Sequence, residues 1–211
     1  MITYLTTPSG EKVRAAMAAG LLGWMQTPAQ GNKLPRGQVW GADNGCFGRG
    51  YPGDDGYLRF LDEYGDRAKD CLFATAPDVV GDAAKTLPRS LPFLPEIRKR
   101  GYPAALVGQN GLEGLVVPWD DFDVLFLGGD TEWKLGSHAR ALTAEARRRG
   151  KWVHMGRVNS YKRLKYAHDI GCQSADGTYV AFGPDINLPK CLAWVRRVNN
   201  SGQQLTWETA A

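Results

Sequence analysis

The sequence predicts an α/β chain that closes into a compact, TIM-like (β/α)8 barrel, and three observations lead there. Apolar runs of four to six residues alternate with segments of helical period, the pattern of βα units around a parallel sheet. Three aspartates, Asp43, Asp78 and Asp176, each stand at or just past the end of such a run, in QVWGADNGCFG, CLFATAPDVVGD and GCQSADGT. Carboxylates at the carboxyl ends of parallel strands converge on one face of a barrel, where its catalytic groups collect. The third observation concerns the competing doubly wound sheet. The stretch PSGEKVRAAMAAG after the first run carries no GxGxxG, and no GxxxxGK[ST] loop occurs anywhere, so no nucleotide-binding sheet is indicated. At 211 residues the chain lies near the lower limit of about 200 for such a barrel. Some outer helices must therefore be short or missing, foremost after residue 111.

Strands are expected at about 2–6, 38–42, 71–75, 103–108, 123–128, 152–156 and 172–175, with boundary errors of roughly 2–4 residues. A weak eighth is sought at Tyr179 to Phe182. Between them, Asp54 or Asp55 opens a helix with Tyr57, Leu58, Leu61 and Tyr64 on one face. Ser137 opens another, carrying Ala139, Leu142 and Ala146 to Gly150, and Ser160 a third, carrying Leu164 and Ala167 to Gly171. Serine and aspartate suit these positions because their oxygens accept the unpaired amide hydrogens of a first turn. Near the end, Asn187 before Leu188 and Pro189 reads as an N-cap with proline in the first turn.

One domain is expected over 1–200, with a C-terminal tail over 201–211. The apolar fraction of 43%, with 26 glycines and 12 prolines, fits a globular chain with many tight turns. The first residues, MITYLTTPSGEKVR, lack a basic stretch followed by an apolar core, and no run of about 18 apolar residues occurs. The expectation is a soluble cytoplasmic protein without a membrane partner. Cys46, Cys71, Cys172 and Cys191 form no CxxC pair and read as reduced core thiols. His138, His154 and His168 stand at unrelated spacings, so no metal is assigned. The net charge of +4 leans towards an anionic partner. Arg98-Lys99-Arg100-Gly101 and Arg147-Arg148-Arg149-Gly150 are read first as helix ends, where cations offset the dipole and glycine caps.

The chemistry rests on carboxylates, because the chain has no GxSxG elbow, HExxH pair or kinase motif. Such groups serve reactions at an anomeric carbon, one attacking and another moving a proton. Asp176, between Ala175 and Gly177, is the candidate nucleophile.

The ordered motifs DNGCFG (Asp43 to Gly48), APDVVGD, Val107-Gly108-Gln109, Leu127-Gly128-Gly129 and His154-Met155-Gly156, followed by Asp176, resemble the tRNA-guanine transglycosylases. They resemble above all the smaller DpdA-type DNA transglycosylases, which insert 7-deazaguanines into DNA. The resemblance implies Asp176 as covalent nucleophile and Asp43 as second catalytic aspartate. It implies Phe47 and Met155 against the two faces of the base, Asp78 as base reader with Asp82 as a substitute, and Gln109 and the Gly128-Gly129 loop at the base edge. The Met155-Gly156 segment closes the site in this scheme. The family's CxCxxC zinc module is not found in these residues, which suits the DNA-acting branch, and Asn44 and Cys46 replace its usual serine and glycine. No cofactor is implied. DNA is the expected partner, with tRNA as the alternative, and a 7-deazaguanine base is the co-substrate. Arg49, Arg157, Lys162 and Arg163 are candidates to follow the phosphates. Two rivals stay open: a catalytically silent nucleic-acid-binding subunit, and a nucleoside or glycoside hydrolase that uses the same carboxylates with water.

Overall fold

The computed structural model of the chain describes residues 1–48 and 50–208, with side chains described to Ser201. Arg49 and residues 209–211, the end of the expected tail, lie outside the described residues. Eight strands are present: β1 (Thr3–Thr6), β2 (Gly23–Gln26), β3 (Trp40–Ala42), β4 (Cys71–Thr75), β5 (Ala104–Gly108), β6 (Val124–Leu127), β7 (Trp152–Met155) and β8 (Ser174–Asp176). Each pairs in parallel with its successor, and β8 pairs with β1 through Thr3–Ser174 and Leu5–Asp176. The sheet is a closed barrel in chain order.

The helices are α1 (Glu11–Ala18), α2 (Asp54–Glu63), α3 (Ala83–Ser90), α4 (Phe93–Lys99), α5 (Thr131–Leu135), α6 (Ser137–Arg148), α7 (Tyr161–Asp169) and α8 (Pro184–Glu208). Economy of length shows in two places. Only a 3-10 turn, Leu112–Gly114, lies between β5 and β6, and residues 27–39 join β2 to β3 without a helix. The first of these gaps is the one expected after residue 111. The basic clusters do end helices: Gly101 (φ 81°) and Gly150 (φ 72°) follow α4 and α6. Arg98 pairs with Asp123, Arg100 with Asp62, and Arg148 and Arg149 with Glu145.

Three expectations fail, the first being the caps of α2 and α6: Asp54 and Ser137 are the first helical residues and accept no first-turn N–H, whereas Ser160 accepts the Arg163 N–H at 3.3 Å. The eighth strand is not Tyr179 to Phe182, which is a turn before α8; it is β2, GWMQ. This run has no β-branched residue and ends in glutamine. Gln26 is nonetheless buried, because it accepts from Trp24 Nε1 at 2.7 Å and donates to Asn32 O and Tyr64 Oη, and a satisfied amide costs little to bury. Nor does Asn187 cap the last helix, which begins at Pro184. The Asn187 side chain instead donates to Tyr179 O at 2.9 Å.

Side chains alternate across each strand. Leu5, Met25, Phe73, Ala105, Val107, Val124 and Phe126 fill the barrel, while Tyr4, Trp24, Leu106, Leu125, Val153, Met155 and Ala175 face the helices. Both faces are buried, which explains the continuous apolar runs. The ring of Phe73 meets Phe126 edge-on at 5.6 Å and closes the barrel floor beneath the site. Full burial of such a ring stabilises by about 2–3 kcal/mol.

Candidate active site

Strand alternation carries the inward positions past the carboxyl ends of β2 to β8. There Met25, Asp43, Thr75, Gln109, Gly128, Gly156 and Asp176 line one cavity of about 370 Å³, within the range of small-ligand sites. Asp78, Phe47 and Arg157 line it as well. The three aspartates that stood 35 or more positions apart in the chain therefore share a single chamber.

Asp43 follows β3, and its Oδ1 accepts the Gly45 N–H at 2.8 Å. Burial pushes its carboxyl up to about 6 against the pull of that hydrogen bond, and the negative charges of Asp176 and Asp78 push the same way. A carboxyl poised there exchanges protons near neutrality. Asp78 is only 7% exposed. Asn44 Nδ2 donates to its Oδ1 at 3.0 Å and Gln109 Nε2 to its Oδ2 at 2.7 Å. Burial still holds this carboxyl above the ordinary range, outweighing both amides. Asp176 ends β8; its Oδ1 faces His154 Nε2 at 3.0 Å, and its backbone carbonyl accepts the Val158 N–H. Glycine at 156 keeps space beside it, since a Cβ there would sit 2.7 Å from Phe126 Cε1 and 3.3 Å from Asp176 Oδ1.

The remaining expected residues divide. Phe47, 61% exposed, stands at the mouth beneath the Arg157 guanidinium, whose carbon lies 4.3 Å from the ring centroid. Arg157 Nη2 also donates to Gly128 O and Gly129 O at 2.6 Å each. Its backbone has φ 59°, the sole positive value among described non-glycine residues, so the chain bears strain where it places this cation. Arg163 lies next door with Lys134 around a shallow depression that shares Gly156 and Arg157 with the cavity. Lys162 is exposed on α7 and lines neither.

Three of the expected base contacts change. Met155 does not line the cavity: as the odd position of β7 it faces the helices and is 1% exposed. The methionine in the chamber is Met25, with Val107 and Phe126 beside it. The Gly129 N–H is already donated to Gly108 O at 3.1 Å and is not free for a ligand. Gln109 is held at both ends, its Oε1 accepting the Gly81 N–H at 2.9 Å while Nε2 serves Asp78; one Nε2 hydrogen remains.

Three polar residues to which the sequence assigns no role are brought to the site by the fold. His154 is fully buried against Phe73 and Phe126, with ring centroids at 4.5 Å from each. Its signal was a polar residue inside the run WVHM, two positions before Gly156 and thus on the inward face. Asn44 supports the Asp43 loop, donating from its amide to Ala76 O and accepting from the Cys46 N–H. Lys134 is buried on α5 and donates to Gly156 O at 2.5 Å. Burial lowers its ammonium to about 8, assisted by the charge of Arg157.

No protein-family model matches the chain, and no curated protein matches it. Solved structures do. The BexX/CysO complex of Amycolatopsis orientalis aligns with a TM-score of 0.60 at 14% identity, covering 100% of this chain and 93% of that one. A cube-shaped, highly porous protein cage, designed by fusing symmetric oligomeric domains, aligns at 0.56 and 13% identity, covering 99% and 76%. At such identities the likeness is one of fold: the chain is a (β/α)8 barrel, and its chemistry has to be argued from its own side chains.

Proposed function

We propose that the protein is a base-exchange transglycosylase, a pentosyltransferase that replaces guanine in DNA with a 7-deazaguanine. The observation that carries this reading is the convergence of Asp43, Asp78 and Asp176 with Phe47 on one cavity at the barrel's carboxyl end. Together with the order of the motifs, it supports separate jobs for the three carboxylates. A guanine inside a duplex is out of reach, so the nucleotide is flipped out or taken from a single strand. Phe47 offers a ring to one face of the base, and Met25, Val107 and Phe126 supply the apolar wall that Met155 does not. Asp78, held on both sides by amides, accepts from the N1–H and exocyclic amine of guanine, and the remaining Gln109 hydrogen meets the carbonyl.

In the first displacement an oxygen of Asp176 bonds to C1′, the C1′–N9 bond breaks, and its electron pair leaves with guanine, which takes the proton of Asp43. In the second, N9 of the incoming base gives its proton to Asp43 and attacks C1′, and the Asp176 carboxylate departs. Configuration is retained and the strand stays intact. Arg157 lines the cavity and Arg163 the depression beside it, with no ion pair for either among the described residues, an arrangement suited to flanking phosphates. No cofactor enters this scheme.

Incubation with DNA labelled in guanine, with and without a 7-deazaguanine, tests the reading. Label release matched by incorporation of the new base is the expected result. Release without incorporation supports a hydrolase, and binding without release supports a silent subunit. Exchange on tRNA in place of DNA moves the substrate but keeps the chemistry.

A further inference from the structure

The inside of the barrel holds a polar string that the scheme above does not use. Trp152 Nε1 donates to Ser174 Oγ at 2.8 Å, Ser174 Oγ lies 2.8 Å from His154 Nδ1, and His154 Nε2 lies 3.0 Å from Asp176 Oδ1. Adjacent strands make the string possible, since His154 is paired with Ser174 in the β7–β8 ladder. A serine, a histidine and an aspartate in line invite comparison with a hydrolase triad, but burial forbids it. Ser174 is 0% exposed on the floor side of the histidine and already receives the indole N–H. No substrate reaches that oxygen, so the string ends blind in the core and opens only at Asp176.

We propose that His154 is a positioning residue for Asp176: a neutral imidazole that carries its hydrogen on Nε2, holds Oδ1 of the carboxylate and leaves Oδ2 to face the substrate. The donor order follows from the ends. The Asp176 carboxylate can only accept, so Nε2 bears hydrogen; a neutral ring then leaves Nδ1 as an acceptor, and the Ser174 hydroxyl hydrogen turns to it while its oxygen receives the indole N–H. Phe73 and Phe126 both pack against the ring, their centroids 4.5 Å from its own and 5.6 Å from each other, which restricts its rotation. Burial lowers the imidazole's proton affinity despite the pull of Asp176, in keeping with a neutral donor. Any reaction that uses Asp176 inherits this arrangement; the rate arm below rests on the base-exchange reading, whereas the spectroscopic arm does not.

Two-bond 1H–15N spectra of the uniformly labelled protein report the tautomer of His154 directly. The expected pattern is Nε2–H at pH 7, kept in Ser174→Ala because Asp176 still accepts from Nε2. An Nδ1–H or doubly protonated ring in the unaltered protein, or a switch to Nδ1–H in Ser174→Ala, overturns the proposal. In single-turnover reaction with guanine-containing DNA, His154→Leu should slow adduct formation by about 10–100-fold, by analogy with loss of a partner that orients a metal-ligating side chain, with DNA affinity unchanged. His154→Gln, which keeps a donor nitrogen, should recover most of that loss. A folded His154→Leu protein reacting at the original rate refutes the positioning role. If the unaltered protein forms no adduct, the base-exchange reading fails, and the spectra alone decide the place of His154.

Discussion

The division of labour proposed for the carboxylates rests on their immediate neighbours. Asp43 has one backbone N–H and two negative neighbours, whereas Asp78 is gripped by Asn44 and Gln109; the former suits proton transfer and the latter a fixed acceptor. The raised carboxyl of Asp43 has a consequence for stability. Its folded value of about 6 lies above the unfolded 3.8, so the native state binds the proton more tightly, and this contribution is present below pH 4 and lost as pH rises through 6. Asp43→Asn keeps the side-chain oxygen for Gly45 while removing the charge. It should raise stability in urea by on the order of 2 kcal/mol at pH 8 and leave it nearly unchanged at pH 4. Equal gains at both pH values would show that the carboxyl is not strained by its burial.

At the scale of the strand, the period of two explains both what could be read and what was misread. Asp43, Asp176, Gly128 and Gly156 were legible because each sits at the end of an apolar run, and the same alternation places them on the inner wall. It also excludes Met155, whose neighbours His154 and Gly156 point inward; motif order was followed there at the expense of strand geometry. The β2 strand was hidden because its apolar character rests on tryptophan and methionine around a buried, satisfied glutamine, and with it went Met25. Two substitutions separate these faces. Met155→Leu, close in volume, should cost under about 1.5 kcal/mol and leave binding of a 7-deazaguanine base intact, while Met25→Ala should weaken that binding about 10-fold by isothermal titration, about 1.4 kcal/mol. The reverse ranking would return Met155 to the site. Gly41 in β3 offers a packing check, because a Cβ there would lie 2.7 Å from Phe73 Cζ and 3.0 Å from Leu5 Cδ2. Overpacking at that point should destabilise Gly41→Ala by about 1–3 kcal/mol in a denaturant melt, and a neutral result would mean that Phe73 can move aside.

Taken whole, the molecule is a small barrel whose helices are omitted from two of the connections between strands. The ladder from β1 to β8 nonetheless closes, and closure leaves no open strand edge to protect. Rigid strands then hold side chains from distant parts of the chain at one mouth, where Arg157 and Phe47 guard the entrance. Among the described residues no helix is long and apolar enough to cross a membrane. Arg157 at the cavity and Arg163 beside it make no ion pair among the described residues, so a nucleic acid at this mouth would meet both. Affinity for a DNA strand should therefore fall steeply as salt rises, and Arg157→Ala should flatten that slope by about one phosphate's share, roughly 0.7–0.9 in log–log terms; an unchanged slope would remove Arg157 from the phosphate contacts. The central claim, that Asp176 attacks the sugar, is tested most directly by denaturing the protein during reaction with guanine-containing DNA and mapping any covalent strand by peptide mass. The account predicts one adduct, on Asp176, absent from Asp176→Ala. An adduct on another residue, or base exchange that persists in Asp176→Ala, would contradict it.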